Sequence, residues 1–353
     1  MAAGVVISMD DGSPHSTVES AVLASLNPAA LPGRVWWHSP RAGIGRWVWS
    51  LRARFRAPAW VSSLPFHLLL FALTGLSTLI VGAGIALNYA RGLPPFDLDL
   101  SFALFRSLWR HPAGLALGLP FSGALLGILL AHELGHYLAC RYHGLRASYP
   151  YFIPAPTLIG TMGAFIRIRS PILNRRVLFD VAVAGPIAGF VLAVPLLGFA
   201  ILHSRVSPVP ALPGSIAFGR PLALTLLTHL LRPGVRPGAL ALPPLGCAAW
   251  VALLVTALNL LPMSQLDGGH IVYAALGRKH RPLSRGFWLT LLPLGYFYWP
   301  GWFLWAAVIA LIGIGHPPVL VPSHPLGRPR HAVAIAVAAI FVLCFMPTPL
   351  TVR

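Results

Sequence analysis

Six stretches of this chain, roughly 64–89, 113–138, 177–203, 245–261, 287–314 and 331–346, are almost free of charge and near the length that crosses a hydrocarbon core of about 30 Å. Lipid offers no partners to backbone N–H and C=O groups, so segments of this kind must satisfy themselves as helices. Charged residues make up 10% of the sequence and hydrophobic ones 56%, against about 25% charged in ordinary soluble domains. The expected fold class is an α-helical polytopic membrane protein with about six transmembrane helices. The fifth run is broken by "GYFYWPGW" (295–302), so it reads either as one kinked span or as a re-entrant pair.

The formal net charge of +18 would suggest nucleic acid in a soluble protein. Here it follows the positive-inside rule, and no nucleic-acid partner is expected. Arg34, Arg41, Arg46, Arg52, Arg54 and Arg56 precede the first run; Arg141, Arg146, Arg167, Arg169, Arg175 and Arg176 lie between the second and third. Arg278, Lys279, Arg281 and Arg285 lie between the fourth and fifth. All share one face if the N-terminus is cytoplasmic. Arg205, Arg220, Arg232 and Arg236 in the opposing loop 204–244 count against that orientation. This loop is rich in Pro and Gly and reads as extracytoplasmic.

Two divisions are expected: a basic cytoplasmic or interfacial segment over 1–62 and a polytopic domain over 63–353. No signal peptide is visible, since the first thirty residues hold Asp10, Asp11 and Glu19 but no basic residue or apolar core. Cys140, Cys247 and Cys344 are scattered in or beside apolar runs and read as core residues. Lys279 is the single lysine among 26 basic residues, which with abundant Ala, Gly and Pro points to a GC-rich bacterial genome and a multi-pass protein of the cell (inner) membrane.

The segment "PYFIPAPTLIGTMGAFIRIRSP" (150–171) suits neither a spanning helix nor a polar loop. "AFIRIR" (164–169) alternates with a strand period, and Gly160 and Gly163 permit tight turns. A small membrane-embedded β-hairpin or sheet is expected, near the candidate site described next. Its edge, with Gly163, Ala164, Phe165 and Ile166 as candidate substrate-binding residues, could pair with an extended peptide by strand addition.

Eight acidic residues occur in the whole chain, and only Glu133, Asp180 and Asp267 fall after residue 100. Ionisable groups in membrane segments are costly and mark function by default. Glu133 stands in "AHELGHY" (131–137), an H-E-x-x-H motif. Histidines four apart share a helix face and can reach one metal ion, while the intervening glutamate can reach a water at that ion. At this composition about 0.003 such matches arise by chance, so the pattern is not a coincidence.

A catalytic zinc takes three protein ligands and keeps one position open, and His132 and His136 supply two. "NLLPMSQLDGGH" (259–270) offers the third. Asp267 is the first choice because acids are scarce; a helix-capping role in a D-G-G turn is the plainer alternative, and His270 is the runner-up ligand. Asp180 reads as a helix cap.

These two motifs, in this order and on separate runs, closely resemble the site-2 protease family of intramembrane zinc metalloproteases. The matching residues are "HELGH" and, in N-x-x-P-x-x-x-L-D-G, Asn259, Pro262, Leu266, Asp267 and Gly268. "DVAVAGPIAGF" (180–190), with Gly185 and Gly189, is similar to the family's Gly-Pro core helix, and "PYFIP" (150–154) and "GTMGAFIRIRSP" (160–171) look most like the branch that lacks a PDZ domain. The resemblance covers about 113–285. It implies one Zn²⁺ per chain on His132, His136 and Asp267, Glu133 as the catalytic base, and Asn259 as a hydrogen-bond partner of the substrate backbone, a helix–helix hydrogen bond being the alternative role for Asn259. It further implies a membrane-protein substrate in the lipid bilayer, such as a membrane-tethered transcription regulator or an anti-sigma factor. The competing readings are a metal transporter, which would be expected to repeat its ligands over several spans, and an inactive scaffold.

Overall fold

The computed structural model describes residues 58–97, 112–172, 174–206, 215–316, 319 and 325–352. The basic leader through Arg56, Asp99 and the middle of the 204–244 loop lie outside the described residues. A unit of residues 8–66 is separate from the main unit. Its described part holds a 3-10 turn over Ala59–Ser62 and the first residues of a long helix.

In chain order the helices are α1 (Leu64–Arg91), α2 (Leu119–Tyr142, entered through a 3-10 turn over Pro112–Gly118), α3 (Arg175–Leu202), α4 (Leu222–Leu231), α5 (Pro244–Asn259), α6 (Asp267–Leu276), α7 (His280–Phe297), α8 (Gly301–Ile312) and α9 (Arg328–Cys344). Three of them, α1, α2 with its 3-10 turn, and α3, are long and apolar enough to cross a membrane. The fourth apolar run becomes α5, which at 16 residues spans only about 24 Å. Twelve of those residues are buried, so α5 is wrapped by protein rather than lipid. The sixth run becomes α9, of 17 residues.

Of the two readings of the fifth run, one kinked span or a re-entrant pair, the structure has the pair. It forms a helical hairpin, with Trp299 and Pro300 between α7 and α8. The Trp288 indole donates to the Ala306 carbonyl at 2.9 Å, and Gly295 lies against the Phe303 ring. Those pairings run in opposite chain directions, so α8 folds back along α7. The described part of the 204–244 loop is also more ordered than its composition suggests. It carries α4, packed on α3, and strands that join other parts of the chain.

Among the described residues there are seven short strands: β1 (Phe96–Asp97), β2 (Tyr151–Pro154), β3 (Thr161–Phe165), β4 (Arg205–Val206), β5 (Ser215–Phe218), β6 (Leu240–Ala241) and β7 (Leu350–Val352). They form an antiparallel sheet in the order β1-β5-β7 and two antiparallel pairs, β2-β3 and β4-β6. The expected hairpin is β2-β3, with Tyr151 opposite Phe165 and Phe152 opposite Ala164. Beyond β3 the alternation persists, since Ile166 and Ile168 are buried while Arg167 and Arg169 are partly exposed. Residues 146–148 pair with this continuation through Ser148 N–H to Arg167 O and Arg169 N–H to Arg146 O. At the hairpin tip Gly160, with φ 77°, sits so close to α1 that a Cβ there would lie 2.8 Å from the Ser77 carbonyl. The Ser77 hydroxyl donates to the Gly160 carbonyl at 2.6 Å.

Helices α2, α3 and α5 pack against one another, with α6 on α3. Their shared core includes Phe121, Leu125, Leu197, Trp250 and Leu253, all essentially inaccessible. Trp250 satisfies its indole N–H on the Gly219 carbonyl at 2.7 Å. Cys140, Cys247 and Cys344 are all free and buried, as expected.

Candidate metal centre

The H-E-x-x-H motif lies in the C-terminal half of α2, where His132, Glu133 and His136 are 4%, 2% and 5% exposed. Two glycines of α3 make the room these rings need. A Cβ on Gly185 would stand 2.2 Å from His136 Nε2, and one on Gly189 would stand 3.3 Å from His132 Cβ. Gly185 and Gly189 therefore do more than bring two helices together. On the other side Gly135 packs so tightly that a Cβ would lie 2.5 Å from the Ala184 carbonyl.

Alpha-helix α3 also orients one ring. Pro186 lies within α3 and cannot donate to the carbonyl one turn back, at Ala182. Beside that loosened turn the Val181 carbonyl accepts a hydrogen bond from His136 Nδ1–H at 2.8 Å. The proton on Nδ1 leaves Nε2 as the ring's free ligand atom.

Asp267 arrives from the far side. After α5 ends at Asn259, the chain turns through Pro262 and Ser264, the latter at φ 59°, and begins α6 at Asp267. Gly268 and Gly269 let α6 start against this turn, since a Cβ at either would lie within 2.5 Å of a carbonyl oxygen of Leu260, Met263 or Ser264. Leu266, not Asp267, occupies the helix-cap position. The Asp267 carboxylate instead meets both imidazoles: Oδ2 is 3.3 Å from His132 Nε2 and 3.4 Å from His136 Nε2. The two Nε2 atoms are 3.1 Å apart.

These three distances decide what the cluster can hold. Bonds of about 2.0–2.1 Å at tetrahedral angles put ligand atoms about 3.3 Å apart. The observed triangle matches that spacing, and its members form the metal-capable cluster among the described residues. Asp267 Oδ2 and Glu133 Oε2 are buried without a hydrogen-bond partner among the described residues. Buried polar atoms left in this state call for an unseen ion or water. A divalent cation such as zinc fits the site, with Glu133 beside it as a carboxylate not used as a ligand.

Glu133, His136, Asp267 and His270 line one cavity of about 20 Å³ with Ile166, Ile168, Ile172, Leu178, Val181 and Ala182. That is room for a water molecule but not for a peptide. Ile166 lines this cavity together with Glu133, so the strand continuation reaches the site directly. Gly163, Ala164 and Phe165 lie one to three residues earlier, in β3, and do not line the cavity. Asn259 is buried at the end of α5 and does not line it either.

His270 stands apart from the ligand cluster. Its Nδ1 is 2.6 Å from His316 Nε2, and burial pushes its imidazole down to about 4. His316 and His280 belong to no motif, and only the fold brings them here. Asp180 neither caps a helix nor approaches the metal. Asn174 caps α3 by accepting from the Val177 N–H at 2.9 Å. Asp180 instead accepts two bonds of 2.7 Å from Arg330 of α9 and lies 3.1 Å from His143 Nε2.

The family model for peptidase family M50 matches residues 120–298, just over half of the chain, which include His132, Glu133, His136, Gly185, Gly189, Asn259, Asp267 and His270. The chain is 32% identical over 238 residues to "Probable zinc metalloprotease EGY2, chloroplastic" of Oryza sativa subsp. indica, covering 65% of this chain and 42% of that protein. It is 36% identical over 167 residues to "Probable zinc metalloprotease EGY1, chloroplastic" of Arabidopsis thaliana, covering 46% and 30%. A third relative, "Probable zinc metalloprotease EGY2, chloroplastic" of Arabidopsis thaliana, is 30% identical over 267 residues, covering 74% and 46%. The chain spans less than half the length of these relatives. No solved structure matches it.

Proposed function

The chain belongs to peptidase family M50, and we propose that it is an intramembrane zinc-dependent endopeptidase that hydrolyses a peptide bond in or near a transmembrane segment of another membrane protein. The observation that carries this reading is the triangle of His132, His136 and Asp267 ligand atoms beside an unpartnered Glu133 oxygen. Bound zinc supplies a water of lowered pKa and a Lewis acid for the scissile carbonyl. Glu133 accepts the proton of the attacking water and returns it to the departing amine.

A transmembrane helix hides its carbonyls in its own hydrogen bonds, so the substrate must open before it can react. Among the described residues β3 pairs with β2 alone, leaving its other edge for an incoming strand. Gly163, Ala164, Phe165 and Ile166 would supply that edge, and Ile166 would carry it to Glu133. Asn259 would hold the substrate backbone once the site has opened.

We propose six membrane-embedded elements: five crossings, α1, α2, α3, α5 and α9, and the α7–α8 hairpin, which enters and leaves on one face. We propose that the N-terminus lies in the cytoplasm of a bacterial cell, with the metal centre opening to that side of the inner membrane. A membrane-tethered transcription regulator or anti-sigma factor is the proposed substrate class. The test is cleavage of a single-span substrate by the purified chain in liposomes with zinc, with the cut located by mass spectrometry. Loss of cleavage with Glu133→Gln supports the reading, and undiminished cleavage by that variant defeats it.

A further inference from the structure

We propose that His270 donates a hydrogen bond from Nε2 to the scissile carbonyl oxygen of the substrate, and that His316 holds it in the tautomer able to do so. This inference rests on the proteolytic reading and assigns a residue that the metal triangle and Glu133 leave unused.

His270 follows Asp267 by three residues on α6, hence on the same helix face, and helps line the cavity that Glu133 and Asp267 share. It is 4% exposed. Nδ1 is engaged by His316 Nε2 at 2.6 Å, and His316 does not line the cavity. Nε2 is therefore the ring nitrogen left for the cavity. It is buried with no hydrogen-bond partner among the described residues. An imidazole kept so deep, with one nitrogen paired and the other bare, is an unfilled donor or acceptor at the reaction centre.

Which of the two follows from its neighbours. If Nδ1 of His270 carried the proton, Nε2 would present a lone pair to a cavity already walled by two carboxylates. If His316 Nε2 carries it, His270 accepts at Nδ1 and presents Nε2–H, which those carboxylates favour.

His316 is built to impose the second arrangement. Its ring stacks on Tyr273 at 4.3 Å between centroids and 12° between planes. Its backbone N–H donates to His280 Nε2 at 3.0 Å, while His280 Nδ1–H donates to the Gly277 carbonyl at 2.8 Å. Three residues after it, the Val319 N–H donates to the Tyr273 hydroxyl at 2.9 Å. The segment after α8 is thus pinned to α6 and α7, and His316 has little freedom to turn away.

A preorganised N–H beside the reacting carbonyl stabilises the charge that develops on its oxygen, and removing one such donor typically costs about 10²–10³ in kcat. His270→Ala is therefore expected to lower kcat about 100-fold with KM within about threefold and zinc still at one per chain. His270→Gln keeps an N–H near the Nε2 position and should recover to within about tenfold of wild type. His316→Phe keeps a ring for Tyr273 but loses the proton donor, so it should fall between the two.

A peptide phosphonate, whose tetrahedral anion mimics the developing charge, should bind His270→Ala about 100-fold more weakly. A ground-state peptide should bind it unchanged. Zinc loss in both His270 variants would make His270 a ligand and overturn the proposal. So would an unchanged kcat, or equal losses in His270→Ala and His270→Gln accompanied by a fall in thermal stability. Wild-type protein that holds zinc but cleaves nothing would refute the proteolytic reading itself, an outcome distinct from wild-type cleavage that is indifferent to His270.

Discussion

The Nδ1 atom of His136 lies 2.8 Å from the carbonyl oxygen of Val181, one helix away. That single bond joins the H-E-x-x-H helix to the Gly-Pro helix and fixes which nitrogen of His136 is free for metal. It exists only because Gly185, four residues on from Val181, leaves the space that the ring fills. Metal affinity in this protein therefore depends on a residue that touches no metal.

Gly185→Ala tests that dependence. The added methyl would stand 2.2 Å from His136 Nε2, a distance that real atoms do not tolerate. The ring or α3 must move, at a cost of about 1–3 kcal/mol. Zinc affinity, measured by competition with a chromophoric chelator, should fall at least tenfold. Gly189→Ala, with its nearest contact at 3.3 Å, should lose much less. Equal affinity in both variants and wild type would show that α2 and α3 are looser than their packing implies.

Glu133→Gln separates binding from chemistry. The amide has nearly the shape of the acid but no proton-accepting carboxylate, so zinc should remain at one per chain. General-base catalysis contributes about 10²–10⁴ in rate, and the cleavage rate should fall by that factor. Metal analysis alongside single-turnover cleavage checks both halves.

Asp267→Ala should do the opposite and release the metal. It removes the oxygen that lies 3.3 and 3.4 Å from the two imidazole nitrogens, leaving two ligands for zinc. The thermal midpoint of wild type should fall on adding a chelator, because a ligand bound only to the folded state stabilises it. The midpoint of Asp267→Ala should not respond. Stoichiometric, equally tight zinc in that variant would move the third ligand elsewhere.

Ile166→Pro should strike the substrate edge. Proline deletes the backbone N–H of a residue that lines the cavity with Glu133 and interrupts the strand continuation that follows β3. Zinc should stay bound. Cleavage of a helical membrane substrate should drop at least 100-fold, and an already extended soluble peptide should lose less. No loss on either substrate would make 164–169 a passive loop.

Arg330→Met examines the clamp between α9 and α3. Two bonds of 2.7 Å from Arg330 hold the Asp180 carboxylate, but both side chains keep about a quarter to a third of their surface exposed. Solvent screens such a pair, so the expected loss is about 1 kcal/mol by denaturation in detergent, with zinc content unchanged. A loss of zinc here would mean that the clamp also sets the metal site.

The sequence by itself determined the membrane-type helical class, the four residues of the candidate site and the hairpin over 150–171. Each of these is a local signal. Apolar runs exclude other folds, two histidines four apart on a helix must share a face, and alternating residues must point to opposite sides of a strand. Asp267 could be chosen over a capping role because so few other acids were present to complete the ligand set. Tertiary structure decided the rest. It folded the fifth apolar run back as a hairpin, ordered part of a loop that composition marked as irregular, and turned Asp180 from a cap into the partner of Arg330. It also drew His316 and His280 around His270, and aimed the Val181 carbonyl at His136. The physical reason is range. Periodicity and spacing constrain residues within a few turns of each other, whereas a hydrogen bond between residues 45 or 46 positions apart depends on how whole helices pack. That packing is set here by glycines whose only visible property in the sequence is their small size.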